Sequence, residues 1–460
     1  MKRVALLCLF VLSICVPMMA QPFSFPGSEG AFVGVYIENI STGKVVASYN
    51  KDKLFIPASI TKCVTAAAAV VKLEGKGPLF STSVYCMGKV SDGVLRGSLV
   101  IVGGGDPTLG SRHFASMPSF TAGLVAAVKD AGIDSIAGSV IMDSGVCSPV
   151  GVSPYWLLED IPWEYGAGLY GINYKDNSFS LSVSSNPNTA FSVVENPYVE
   201  VYNSISRDPK ASGVVAMRGM HSSELYLSGS TSGATYSSRY SAPFPADMLQ
   251  TDVVNALARA GIGVGESEDM NDNSQDDITE IFKYGSPSRD DILRTLMFKS
   301  NNLYAEGILR ALVLPSRIAP FGAYGASRED ALSVEKDYLK SLGLDVASVR
   351  INDGCGLAIN NRVSPLFMAK MLKAAGTDQY VSYFPKVGKD GTVKGLLAKT
   401  SLAGKLALKS GSMTGVLCYA GYKLNANGKP THTVVIMVNG FTCKTAQVRA
   451  AIAKYLQSCF

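Results

Sequence analysis

Strand patterns stand near both ends of this chain, and most of its 460 residues lie between them. From Ala31 to Asn50 the segment AFVGVYIENISTGKVVASYN alternates apolar and polar residues around STGK, which predicts a β-hairpin. Near the other end, KLALKSGSM, VLCYAGYKL and HTVVIMVN predict three strands, with NANGKP as the turn between the last two. The helix pattern TAQVRAAIAKYLQSC closes the chain. A hairpin at the start, a meander at the end and helical patterns around both point to one antiparallel sheet built from the two chain ends. The fold class is therefore mixed α/β (α+β) and multi-domain. Residues 21–80 and 284–460 supply the two parts of one domain, with its central antiparallel sheet flanked by helices. The middle, 81–283, is rich in short strands, Gly, Ser and Asn, and reads as a β-rich insertion of two subdomains. Its end carries the acidic run GESEDMNDNSQDD (Gly265–Asp277), which reads as a solvated loop.

The first twenty residues have a different character. Lys2 and Arg3 precede an apolar run from Val4 to Val16, and small Ala20 precedes Gln21. That layout predicts a secretory signal peptide over 1–20, and a periplasmic location in a bacterium. No later run reaches the ~18 apolar residues that a membrane span needs. Without Lys2 and Arg3 the formal charge falls from +5 to +3, too small a balance to argue for nucleic acid. Seven of the nine cysteines lie beyond residue 20, and none forms a CxxC pair. Neither a zinc site nor a disulfide framework is indicated, and no cofactor or metal is expected.

The pattern Ser-x-x-Lys occurs at Ser41/Lys44, Ser59/Lys62 and Ser333/Lys336. The first falls in a hairpin turn and the third on a charged helix face. Only Ser59/Lys62, in FIPASITKCVTAAAAVVKL, combines a helix start with an apolar run. Residues three apart share a helix face, so the lysine amine reaches the serine hydroxyl. A helix cap with a snorkelling lysine is the plainer reading of that pair alone. Two further elements shift the balance. KSNNL places Ser300 and Asn302 at the head of a helical run, and LALKSGSMTG places Lys409, Ser410 and Gly411 at a strand end, where the glycine lets a ligand approach the backbone. Ser-x-x-Lys, Ser-x-Asn and Lys-Ser-Gly in that order form the set found in penicillin-binding proteins and class A β-lactamases. The three histidines, His113, His221 and His432, stand near no nucleophile elbow, so a lysine base is the better expectation.

At this point the chain resembles the penicillin-binding protein 4-type D-alanyl-D-alanine carboxypeptidases/endopeptidases, peptidase family S13. The resemblance also rests on GGGDPTL (Gly103–Leu109), YGAG (Tyr165–Gly168), SNNLYAEGILR (Ser300–Arg310), DGCGL (Asp353–Leu357), NRVSP (Asn361–Pro365) and GKDGTVKG (Gly388–Gly395). It implies a transpeptidase/β-lactamase-like domain interrupted between Ser59 and Ser300. It implies peptidoglycan stem peptides as substrates and β-lactam antibiotics as covalent inhibitors. Ser59 is then the nucleophile, Lys62 the base, and Ser300 the relay to the leaving amine. Asn302 holds the substrate amide and steadies Lys62, Lys409, Ser410 and Ser412 bind the terminal carboxylate, and Gly411 lets substrate come close to the backbone. The backbone N–H groups of Ser59 and Ser412 would form the oxyanion hole. Met413 would line the subsite in which Glu164 grips the amino end of the peptide stem. Ser410 stands where the family usually has threonine, and Cys355 and Ala358 replace serines of its DGSGLS pattern. A neutral base is needed, and a free lysine is neutral only about once in a thousand at pH 7. Making it mostly neutral takes about 4 kcal/mol. Burial and a second cation at Lys409 are the expected causes. A β-lactamase, or a non-catalytic cell-wall binding protein with the same fold, are the alternatives.

Overall fold

The computed structural model describes residues 21–184, 192–193, 197–267, 277–315, 319–322 and 324–460. The expected leader, 1–20, and most of the acidic run, 268–276, lie outside the described residues. The two chain ends do share a sheet. Strands β1 (Phe32–Asn39), β2 (Val45–Tyr49), β3 (Leu406–Met413), β4 (Val416–Leu424) and β5 (Pro430–Asn439) pair antiparallel in the order β3-β4-β5-β1-β2. The ends meet where β1 runs beside β5, with Phe32 opposite Asn439 and Val35 opposite Ile436.

Alternation along these strands sorts their side chains onto two buried faces. Val33, Val35 and Ile37 of β1 and Val434, Ile436 and Val438 of β5 face a helix near the C-terminus, through its Val448, Ile452 and Leu456. Tyr36, Val435 and Met437 face the other way. That second face is covered by α1 (Lys62–Lys72), α2 (Arg289–Lys299), α3 (Asn302–Ala311), α4 (Arg328–Ser341) and α5 (Pro365–Ala375). The first helix, KCVTAAAAVVK, is buried without interruption from Lys62 to Ala69. Alanine is the strongest helix former and small enough to let neighbouring helices close in on every side. The cost of that position is a lysine inside the core.

The middle segment builds its own sheet. Strands Gly263–Ser267, Ser135–Gly138, Val94–Val102, Ser81–Ser91 and Ile278–Gly285 lie in that order, and Val140–Asp143 also pairs with Val94–Val102. Helices Phe120–Asp130 and Pro245–Arg259 pack over it. Among the described residues two smaller sheets complete it, one on Ser178–Ser184 and one on Glu224–Thr231. Ser81 stands opposite Gly285, so the segment leaves the layer of the two-ended sheet and returns to it at one place. This returning strand continues two residues past 283, and Gly265–Ser267 of the acidic run is strand instead of loop.

Candidate active site

A 3₁₀ turn, Ala58–Thr61, leads into α1 and carries Ser59. Ala58 holds φ +48°, a left-handed conformation that costs a non-glycine residue about 1 kcal/mol or more and recurs at functional sites. Two glycines make the turn possible. A Cβ on Gly411 would stand 2.6 Å from the Pro57 carbonyl and 2.9 Å from the Ser59 nitrogen. One on Gly356, at φ +84°, would stand 2.0 Å from the Ala58 carbonyl. What Gly411 admits is the chain's own backbone around Ser59.

Lys62 begins α1 one turn after Ser59 and is fully buried. Its Nζ lies 3.0 Å from Ser59 Oγ, 2.7 Å from Asn302 Oδ1 and 2.6 Å from the Cys355 carbonyl oxygen. Asn302 is the first residue of α3, and its Nδ2 donates to the Tyr165 carbonyl at 2.8 Å. That donor, expected to meet substrate, is already engaged by the insertion. Ser300 sits between α2 and α3 in a left-handed conformation, φ +58°. Its Oγ accepts from Lys409 Nζ at 2.8 Å, and Lys409 also donates to the Ser410 carbonyl at 2.7 Å. Three stretches far apart in sequence therefore converge on one cluster. Ser59, Ser300, Asn302, Ser412 and Met413 line one cavity of about 380 Å³. Ser410, on β3, shares a 2.7 Å hydrogen bond with Thr392 of the GKDGTVKG segment.

Burial pushes the Lys62 amine below the usual lysine range, while the nearby acids Asp353 and Glu306 act in the opposite sense. Lys409 is driven well below that range by burial first and by the Lys62 charge second. Desolvation is thus the leading cause for both, and the mutual repulsion expected at Lys62 is felt at Lys409. Histidine has no part in the cluster. His432 bonds Asn39 and Thr431, His113 packs edge-on against Tyr304, and His221 lies against Tyr170.

Glu164 is placed differently from expectation. Its carboxylate is paired with Arg112 and, at 3.1 Å, with Arg239 Nε, in a second cavity of about 590 Å³ that also reaches Ser300 and Asn302. Burial acts to raise its pKa, but the two arginines outweigh that and hold it below the ordinary value. The acids lining the Ser59 cavity are Glu159 and Asp160. Asp160 is 8% exposed, its Oδ1 accepts from the Tyr165 hydroxyl at 3.0 Å, and its buried Oδ2 has no partner among the described residues.

One helical turn beyond Lys62, Thr65 Oγ1 lies 3.0 Å from Glu335 Oε2 and 2.9 Å from the Gly354 carbonyl. Burial pushes the Glu335 carboxyl up to about 8 from 4.5. The folded state therefore binds a proton that the unfolded chain releases. The stabilising contribution is complete below pH 4.5 and is lost as pH rises to about 8, amounting to roughly 3–5 kcal/mol. Glu335→Gln keeps a donor for Thr65 and cannot ionise. Urea midpoints should show the variant gaining on the wild type steadily from pH 5 to pH 8.5. A constant difference over that range refutes the assignment.

A model of the D-Ala-D-Ala carboxypeptidase 3 (S13) family matches residues 21–458. The chain belongs to this family. Among S13-type relatives, D-alanyl-D-alanine carboxypeptidase DacB of Haemophilus influenzae is 25% identical over 450 residues, covering 93% of this chain and 90% of that protein. A D-alanyl-D-alanine carboxypeptidase of Actinomadura sp. is 25% identical over 441 residues, covering 89% and 78%. The crystal structure of penicillin-binding protein 4 (dacB) from Haemophilus influenzae superposes with a TM-score of 0.78 at 24% identity, covering 95% of this chain and 96% of that one. The same protein complexed with a β-lactam gives 0.72 at 22% identity. The S13 fold thus extends over the insertion as well as the catalytic layer.

Within that fold, the residues the sequence reading left out are Cys355 and Tyr165 as carbonyl acceptors, Thr392 beside Ser410, and Glu306. Each lay inside a quoted motif. Backbone carbonyls carry no side-chain signal, but Glu306 stands four residues after Asn302 on one helix face, a spacing visible in SNNLYAEG.

Proposed function

We propose that this chain is a serine D-Ala-D-Ala carboxypeptidase/endopeptidase that cleaves peptidoglycan stem peptides through an acyl-enzyme on Ser59. The observation that carries the reading is the buried Lys62 amine within hydrogen-bonding distance of Ser59 Oγ and of two carbonyl-type oxygens. Neutral Lys62 takes the Ser59 proton as the serine oxygen attacks the carbonyl between two D-alanines. The backbone N–H groups of Ser59 and Ser412 meet the oxyanion, each worth about 3 kcal/mol. Ser300, held by Lys409, passes the proton to the leaving amine. Lys409, Ser410 with its Thr392 partner, and Ser412 receive the terminal carboxylate, and Gly411 keeps the strand close to Ser59. Water then hydrolyses the ester. Met413 contributes an apolar wall. Of the acids, Asp160, which lines the Ser59 cavity, suits the amino end of a stem peptide better than Glu164, which two arginines hold. The latter braces the turn whose Tyr165 carbonyl holds Asn302.

The substrate places the enzyme in the cell-wall compartment, reached through the leader at 1–20. Among the described residues no helix is long and apolar enough to cross a membrane. A labelled penicillin tests the reading cheaply. The expected result is one stoichiometric, long-lived adduct on Ser59, together with D-alanine release from a pentapeptide stem. Turnover of the label within seconds would instead mark a β-lactamase, and absence of any adduct a binding protein. Hydrolysis of a cross-linked dimer measures the endopeptidase share.

A further inference from the structure

The acceptors around Lys62 are unequal, and the inequality matters for a base. An ammonium has three hydrogens for three acceptors. A neutral amine has two hydrogens and one lone pair. The two shorter contacts, 2.7 Å to Asn302 Oδ1 and 2.6 Å to the Cys355 carbonyl, claim the two hydrogens, and the lone pair is left facing Ser59 Oγ at 3.0 Å. This works only if the Cys355 carbonyl is fixed. Glu306 Oε1 accepts from the N–H groups of Gly354 and Cys355 at 2.8 and 3.1 Å, and its Oε2 accepts from Arg328 Nε at 3.1 Å. Asp353 accepts from the N–H groups of Gly356 and Ala358, from Asn361 Nδ2 and from Trp156 Nε1, all within 2.9 Å. Both acids are fully buried. With Cys355 Sγ they could be mistaken for a cation site, but their oxygens are already taken by N–H donors.

We propose that Glu306 and Asp353 are positioning residues for acylation. They fix the Cys355 carbonyl as the second acceptor of Lys62, so that the neutral amine presents its lone pair to Ser59 alone. In that step the Ser59 O–H bond breaks, an N–H bond forms on Lys62, the serine oxygen's electron pair bonds the substrate carbonyl carbon, and the carbonyl π pair moves onto its oxygen. Helix α3 acts twice, through Asn302 on the amine and Glu306 on the peptide beside it. The inference rests on Lys62 being the base proposed above.

Acylation by labelled penicillin, measured from pH 6 to pH 10, tests it. In Glu306→Gln an amide hydrogen meets Arg328, the Cys355 carbonyl loosens, and an anion that favours protonated Lys62 is removed. The maximal acylation rate should fall about 10- to 100-fold, with reversible penicillin affinity changed by less than about threefold. The acid limb should move to lower pH, a shift that a merely structural role does not produce. An unmoved limb with a rate within twofold of wild type overturns the proposal. Should Glu306→Gln fail to fold, Trp156→Phe carries the test, because it removes one donor from Asp353 and leaves its charge. There a slower rate with an unmoved limb is expected, and the wild-type rate overturns it. No adduct on the wild type itself would sink the acyl-serine reading instead, so the two failures are separable.

Discussion

Ser59→Ala should abolish both penicillin labelling and D-alanine release, with a loss of at least about 10⁴-fold, while the fold persists. The size follows from what the serine does. Covalent catalysis has no substitute atom at this position, and removal of a serine nucleophile elsewhere costs on the order of 10⁶ in turnover. The persistence follows from what surrounds it. Ser59 is only half-buried, and its hydroxyl's one cluster partner is Lys62, which keeps acceptors on Asn302 and Cys355. Alanine also suits the 3₁₀ turn. The thermal midpoint should stay within a few degrees of wild type. Intact-mass spectrometry after incubation with penicillin reads the adduct directly. An adduct of full stoichiometry on the variant would move the nucleophile elsewhere, and Ser300, in the same cavity, is the first place to look.

Much of this site was legible because its chemistry lies in side chains with fixed spacing. Ser59 and Lys62 are three apart, Ser300 and Asn302 two apart, and Lys409 leads its triplet; no one of the three points to a site alone, but together and in that order they do. The sheet was legible for a related reason, since β1, β4 and β5 carry near-continuous apolar runs, which suit strands buried on both faces. What stayed hidden is carried by backbone or by long-range pairing. The carbonyls of Cys355 and Tyr165 hold Lys62 and Asn302, yet any residue supplies a carbonyl. Glu164 looked available because a sequence shows a carboxylate but not the two arginines that close on it from 52 and 75 residues away. Gly411 pointed correctly to a close approach, but the approaching partner, the Ser59 turn, follows only from folding.

Lys62→Met is the more informative of the large effects, because it separates catalysis from the cost of burying a charge. Methionine is unbranched like lysine, one heavy atom shorter, and carries no titratable group. Loss of a positioned base costs about 10²–10⁴-fold. The upper end applies here, since Lys409 lies on Ser300 and the histidines lie outside the cluster. Acylation should therefore drop about 10³- to 10⁴-fold with penicillin's reversible affinity nearly unchanged. The pH profile should change with it. In the wild type, acylation should rise with pH as Lys62 loses its proton, and burial should bring that rise below the ordinary lysine range. In the variant that limb disappears, and the residual rate no longer follows the amine. Stability is set by two opposed terms: the desolvation of the amine is relieved, but Asn302 Oδ1 and the Cys355 carbonyl lose their donor at about 1–3 kcal/mol each. Because those terms largely cancel, the variant should fold, and its lost rate can be read as lost proton transfer. If Lys62→Met instead acylates within tenfold of wild type and keeps the same acid limb, the proton goes to Lys409 through Ser300.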